Sequence, residues 1–127
     1  MNNIKIRSFK DLRAWQEGHK LALMIYKITK TFPQDEQFGL TNQLRRAAVS
    51  FTSNIAEGFS RTSYKEKVQF YSIALGSLTE IQSQLLIARD IEYLTDKTFR
   101  EVEDQTINVS KITNGLIRMS KTVIRNS

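Results

Sequence analysis

Gln43, Arg46, Ser50, Asn54, Glu57 and Arg61 recur along the chain at steps of three or four. Their side chains donate and accept hydrogen bonds and carry both charges, and on a helix that spacing keeps them on one face. A second polar row, Ser77, Glu80 and Gln84, follows at the same spacing. The chemistry these residues offer is recognition. They can form bonds that fix helix register inside the protein, a contact between subunits, or a ligand centre built on Asn54 and Glu57. A nucleophile beside a base, carboxylates paired at catalytic spacing and a glycine-rich phosphate loop are not found in the sequence. Arg13 and His19 have the R-x5-H spacing of some helical nucleases. One such pair arises easily by chance, and Glu17, the nearest acid, points elsewhere on a helix. The chain therefore reads as a non-enzyme. With no cysteine and a single histidine it offers no thiolate site and little for an imidazole one, so neither metal nor cofactor is expected.

The net charge of +6 is unevenly placed. Residues 1–30 carry +5, residues 31–104 carry −3, and residues 105–127 carry +4 with no acid at all. In an up-down bundle the first and last helices are neighbours, so the two basic ends can combine into one field that attracts polyanions. Lys10, Arg13, Lys20 and Lys27 on the first helix, with Arg118, Lys121 and Arg125 on the last, are the candidate phosphate contacts. Aromatic residues do not alternate with them, which argues against base stacking along a single strand. The alternative is that these charges only keep two exposed faces solvated.

Elements that would hold these residues are legible in the apolar pattern. At 127 residues, with 40 % hydrophobic and 25 % charged residues, one proline and five glycines, the chain suits one soluble helical domain spanning 1–127. No apolar run is long enough to cross a bilayer and residues 1–10 contain no signal core, so a cytoplasmic protein is expected. Four amphipathic helices are predicted at about 9–32, 36–61, 64–91 and 96–123, each of roughly 22–30 residues and together about 35–40 Å long. Ser8 with Asp11 and Ser63 with Glu66 are the capping signals, Pro33 ends the first helix, and Thr95 or Thr98 starts the last. The fold expected is all-α, an antiparallel up-down-up-down four-helix bundle.

On the first helix Leu12, Trp15, Ala22, Tyr26 and Thr29 share one face, flanked by Leu21, Ile25, Ile28 and Phe32. The second buries Leu40, Leu44, Ala47, Ala48, Phe51, Ile55 and Phe59 beside its polar stripe. The last is carried by Phe99, Val102, Val109, Leu116, Met119 and Val123. Tyr64, Tyr71 and Tyr93 are expected at margins with wet hydroxyls, and Met24 and Met119 as gap fillers. Gly58 and Gly76 lie inside helices, where close approach of another backbone would compensate their low propensity. A turn centred near residue 62 places Arg46 level with position 78, within reach of Glu80, so an Arg46–Glu80 ion pair supported by Gln43 and Gln84 is expected.

The string GLTNQLRRAAVSFTSNIAEGFSR at 39–61 resembles the four-helix-bundle proteins encoded within intervening sequences of bacterial 23S ribosomal RNA genes. So do FKDLRAWQEGHKLALMIYKITKTFP before it and FYSIALGSLTEIQSQLLIA after it, covering about residues 9–94. NIAEG and QLRRAA stand in the family's order and spacing, although Phe51 and Thr52 replace the aliphatic residue and proline frequent there. The resemblance implies a left-handed homopentameric bundle without established enzymatic activity. It also implies kinship with the accessory variability determinant of diversity-generating retroelements, a basic barrel that associates with a reverse transcriptase and nucleic acid. It marks Gln43, Arg45, Arg46, Asn54, Glu57, Gly58 and Glu80 as the signature here. The function expected is an oligomeric accessory protein that binds RNA or other nucleic acid through basic surfaces. The alternative is a protein-interaction scaffold with no nucleic-acid role.

Overall fold

The computed structural model of the chain describes residues 5–127. Asp11 accepts the Arg7 and Ser8 N–H groups at 2.8 and 3.1 Å, while the Ser8 hydroxyl accepts from Lys10. Those backbone bonds hold the Asp11 carboxyl below its ordinary range. The capping box they form holds only one 3-10 turn, Phe9–Asp11. Leu12 then extends (φ −76°, ψ 130°), so the first helix, α1, is Arg13–Thr29 rather than 9–32. A second 3-10 turn, Gln34–Glu36, follows Pro33, and α2 begins at Leu40 and ends at Ser60. Glu36 explains that delayed start. One of its oxygens accepts the Leu40 N–H at 3.0 Å and the other the Tyr93 hydroxyl at 2.8 Å, in that order of effect keeping its carboxyl below the usual value.

Ser63 caps α3, Tyr64–Asp90, by accepting the Glu66 N–H, and Thr95 caps α4, Asp96–Arg125, by accepting that of Thr98. Both bounds lie within two residues of the sequence reading. With 17 residues α1 is shorter than the predicted range, whereas the 30 residues of α4 reach about 45 Å.

Each helix packs on two others, in the ring α1–α2–α3–α4 and back to α1. Gly18 faces Phe51 while Arg45 bonds Thr29; Ser50 meets Ser77 while Gly58 meets Tyr71; Gln82 bonds Thr106 while Arg89 covers Phe99. Every such pair runs in opposite directions along its two helices, so the protein is an all-α antiparallel four-helix bundle. The core runs down its axis through Leu21, Ile25, Leu44, Phe51, Ile55, Leu78, Ile81, Leu85, Val102 and Val109, all fully buried. Each contributes about 1.5–3 kcal/mol of hydrophobic stabilisation before conformational entropy is counted.

Several sequence expectations are corrected here. The buried face of α1 is Ala14, Gly18, Leu21, Ile25 and Thr29; Leu12, Trp15 and Ala22 are only half-buried and Tyr26 is exposed. Gly18 is the cause: it lets Phe51 sit against the α1 backbone, turning the helix toward its small residues. On α4, Met119 and Val123 are exposed, and Thr106, Thr113 and Ser120 fill the core instead. Their hydroxyls donate to the carbonyls of Glu103, Val109 and Leu116, which removes the penalty of burying them and continues the 3.6-residue stripe that apolar residues alone do not reveal. Tyr71 is 2 % exposed rather than marginal, and burial first, with Tyr64 second, pushes its phenol up to about 12.

Candidate nucleic-acid interface and polar groove

The antiparallel ring brings the start of α1, the α2–α3 turn and the end of α4 to one end of the bundle. That half, residues 5–20, 51–77 and 109–127, holds twelve lysines and arginines against four acids. The opposite half, 21–50 and 78–108, holds seven against nine. The charge is therefore segregated along the axis as well as between helices. Lys10, Arg13, Arg118, Lys121 and Arg125 are exposed and share the basic half. Lys20 stands at its border, 3.8 Å from Glu17. Lys27 lies about 20 Å from Arg13 along α1, at the acidic end.

Not every cation of the basic end is free for a phosphate. Lys67 donates to the Phe59 carbonyl at 2.6 Å, closing the C-terminus of α2, and burial lowers its ammonium below the ordinary lysine value. Arg61 bonds Glu57 at 2.8 Å and lies over the Phe70 ring at 4.6 Å. These two side chains join α2 to α3 and set the turn.

The polar stripe of α2 lies at the α2–α3 margin. Asn54 donates to the Ser50 carbonyl and hydroxyl at 2.8 and 3.2 Å, and the Ser50 hydroxyl meets that of Ser77 at 2.8 Å. Part of the stripe is thus an internal register clamp. The rest is not. Gln43, Arg46 and Glu80 line a shallow groove over Ser50 and Ser77, yet none of the three side chains has a hydrogen bond or ion pair among the described residues. The expected Arg46–Glu80 ion pair within 4.0 Å is absent there. The Ser50–Ser77 contact sets a register three residues from the one expected and puts Arg46 level with Ile81, beside Glu80, so the two charges face one groove without closing on each other. Gln84, expected as Arg46's support, instead has a buried oxygen with no donor among the described residues. Ile73 and Val49 are exposed on the flanking helix faces, and a Cβ at Gly76 would meet nothing within 4 Å, so the close approach expected there does not occur within the chain. Gly58 does show it, against Tyr71 and Phe70.

The nuclease-like spacing does not assemble a centre. His19 lies flat on Trp15, with ring centroids 4.8 Å apart. Glu17 turns to α4, where its backbone carbonyl accepts from Gln105 at 2.9 Å and its carboxylate from Asn108 at 3.1 Å. Sequence reasoning missed this α1–α4 bridge, although Gln105 and Asn108 sit three apart beside an apolar stripe. Among the described residues no group of three histidine, aspartate or glutamate side chains can hold a metal, and no helix is long and apolar enough to cross a membrane.

Fold and surface together define a basic-ended four-helix bundle. Residues 10–115 match the model of the 23S rRNA-intervening sequence protein family, and the chain belongs to that family. Among solved structures it is similar to a protein of unknown function from the S23 ribosomal protein family of Bacteroides thetaiotaomicron VPI-5482. The two are 19 % identical with a TM-score of 0.76, over 83 % of this chain and 95 % of the other. At that identity the likeness concerns the fold. A comparison with curated proteins returns no match.

Proposed function

We propose that this protein is a non-enzymatic, self-associating accessory factor that binds RNA through the basic end of its bundle. The observation that carries the reading is the twelve-to-four excess of cations over acids in that half, with Arg118, Lys121 and Arg125 on a helix turn sequence free of acids. Phosphate contacts from exposed lysines and arginines supply affinity without base recognition, and a weakly acidic opposite end orients the bundle on a polyanion. Self-association uses the α2–α3 face: Arg46 and Glu80 are complementary charges without partners among the described residues, and Gly76 leaves room for a neighbouring backbone. The five-subunit count comes from the family resemblance.

Binding of a structured RNA at low and high salt tests the reading. The chain should bind at low salt and lose affinity steeply as salt rises. Arg118→Glu, Lys121→Glu and Arg125→Glu together should flatten the log-log salt slope by about three, one per lost phosphate contact. No binding at low salt, or binding indifferent to salt, removes the RNA role. Light scattering reads the subunit count separately, and Arg46→Glu should lower the mass.

A further inference from the structure

A half-open cavity of about 500 Å³ lies away from the basic end, between the C-terminal half of α1 and the N-terminal half of α4. That falls within the range of small-molecule sites, roughly 300–1,000 Å³. Its floor is apolar, formed by Met24, Ile28, Leu94 and Val102. Lys27 stands on the α1 wall and Glu101 on the α4 wall. Neither side chain has an ion pair or hydrogen bond among the described residues.

We infer that this groove binds a small zwitterion with an apolar body, an apolar amino acid or dipeptide, whose carboxylate meets Lys27 and whose ammonium meets Glu101. A simple carboxylic acid would gain the lysine but face the glutamate, and a simple amine would gain the glutamate but face the lysine. Only a molecule carrying both charges answers both walls while its hydrocarbon covers the floor. A polyanion is a poor occupant, because this half of the bundle holds more acids than bases. The polar bridge from Glu17 to Gln105 and Asn108 closes the α1–α4 seam about two turns from Met24 on α1 and one turn from Glu101 on α4, and the cavity lies beyond it. The inference is independent of RNA binding.

Calorimetry and amide NMR with L-leucine, L-leucinamide, N-acetyl-L-leucine and N-acetyl-L-leucinamide test it on the whole chain. Leucine should shift the amide signals of Met24, Ile28 and Thr98, and each singly blocked analogue should bind about tenfold more weakly, as expected for one lost charged hydrogen bond. Lys27→Gln should erase the preference for leucine over leucinamide. Glu101→Gln should erase the preference over N-acetyl-leucine. Both variants are surface changes that keep the apolar floor, and an unchanged melting temperature verifies their folds. Equal binding of all four compounds assigns the groove to a neutral apolar occupant and overturns the inference. So does the absence of shifts at these residues with leucine, phenylalanine or leucyl-leucine at millimolar concentration.

Discussion

Gly58 and Gly76 invite the same substitution in opposite surroundings, and the bundle geometry gives the two outcomes opposite signs. A Cβ at Gly58 would lie 2.7 and 2.9 Å from ring carbons of Tyr71 and 3.0 Å from the Phe70 Cβ. Tyr71 is fully enclosed and has nowhere to move. Overpacking against an enclosed ring falls in the upper part of the usual range, about 2–3 kcal/mol, offset by about 1 kcal/mol from replacing a helical glycine with alanine. Gly58→Ala should therefore lose about 1–2 kcal/mol, lowering the melting temperature of a chain this long by about 4–8 °C. At Gly76 the new methyl group meets nothing, so Gly76→Ala keeps the whole propensity gain of about 1 kcal/mol and should melt about 4 °C higher in dilute protein. Thermal denaturation followed by circular dichroism reads both. The assembly proposed above adds a second sign: if a neighbouring backbone approaches at Gly76, the variant that stabilises the protomer should weaken the oligomer, visible as a lower mass at equal concentration. A Gly76→Ala protein that melts below wild type when dilute, or a Gly58→Ala protein that melts above it, refutes the packing argument.

Three further outcomes follow from polar side chains held by the fold. Tyr71 should ionise near pH 12 in an alkaline absorbance titration. Because its folded value exceeds that of the unfolded chain, the linked stability is complete below about pH 10 and is lost as pH rises toward 12. Glu36→Gln should destabilise at neutral pH, where the carboxylate holds Leu40 N–H and the Tyr93 hydroxyl. Its lowered folded value means that the advantage of wild type is present above the ordinary glutamate range and shrinks as pH falls through the folded value, measurable by denaturation at a series of acidic pH values. Glu17→Ala should cost about 1–2 kcal/mol in urea denaturation by leaving Asn108 without its acceptor and Gln105 with only the backbone one, and an unchanged midpoint would show that water replaces the bridge fully.

How much of the site could be read in advance depended on the distance over which the determining forces act. The caps at Ser63 and Thr95 act within three residues, and the boundaries of α3 and α4 followed from them. Ser8 and Asp11 form an equally local box, yet it caps a turn that Leu12 abandons, because nothing in the capping pair dictates what the following residue does. Lys20 and Lys27 share a stripe with Arg13 on α1, but the sequence spacing does not show that Lys27 stands opposite Glu101 at the other end of the bundle. The polar stripe was legible as a stripe; its division into a Ser50–Ser77 clamp and an unpartnered Arg46–Glu80 groove was not.

By itself the sequence determined four helices, their apolar faces, their charges and their family likeness, since periodicity, capping and composition are properties of neighbouring residues. Only the tertiary structure decided register, and register set the rest. The Ser50–Ser77 contact fixes how α2 and α3 slide and leaves Arg46 and Glu80 over one groove without pairing, and antiparallel packing gathers cations from three distant segments at one end. Contacts of that kind depend on how whole helices slide and turn against one another, a choice made by the fit of side chains such as Phe51 on Gly18 and Tyr71 on Gly58.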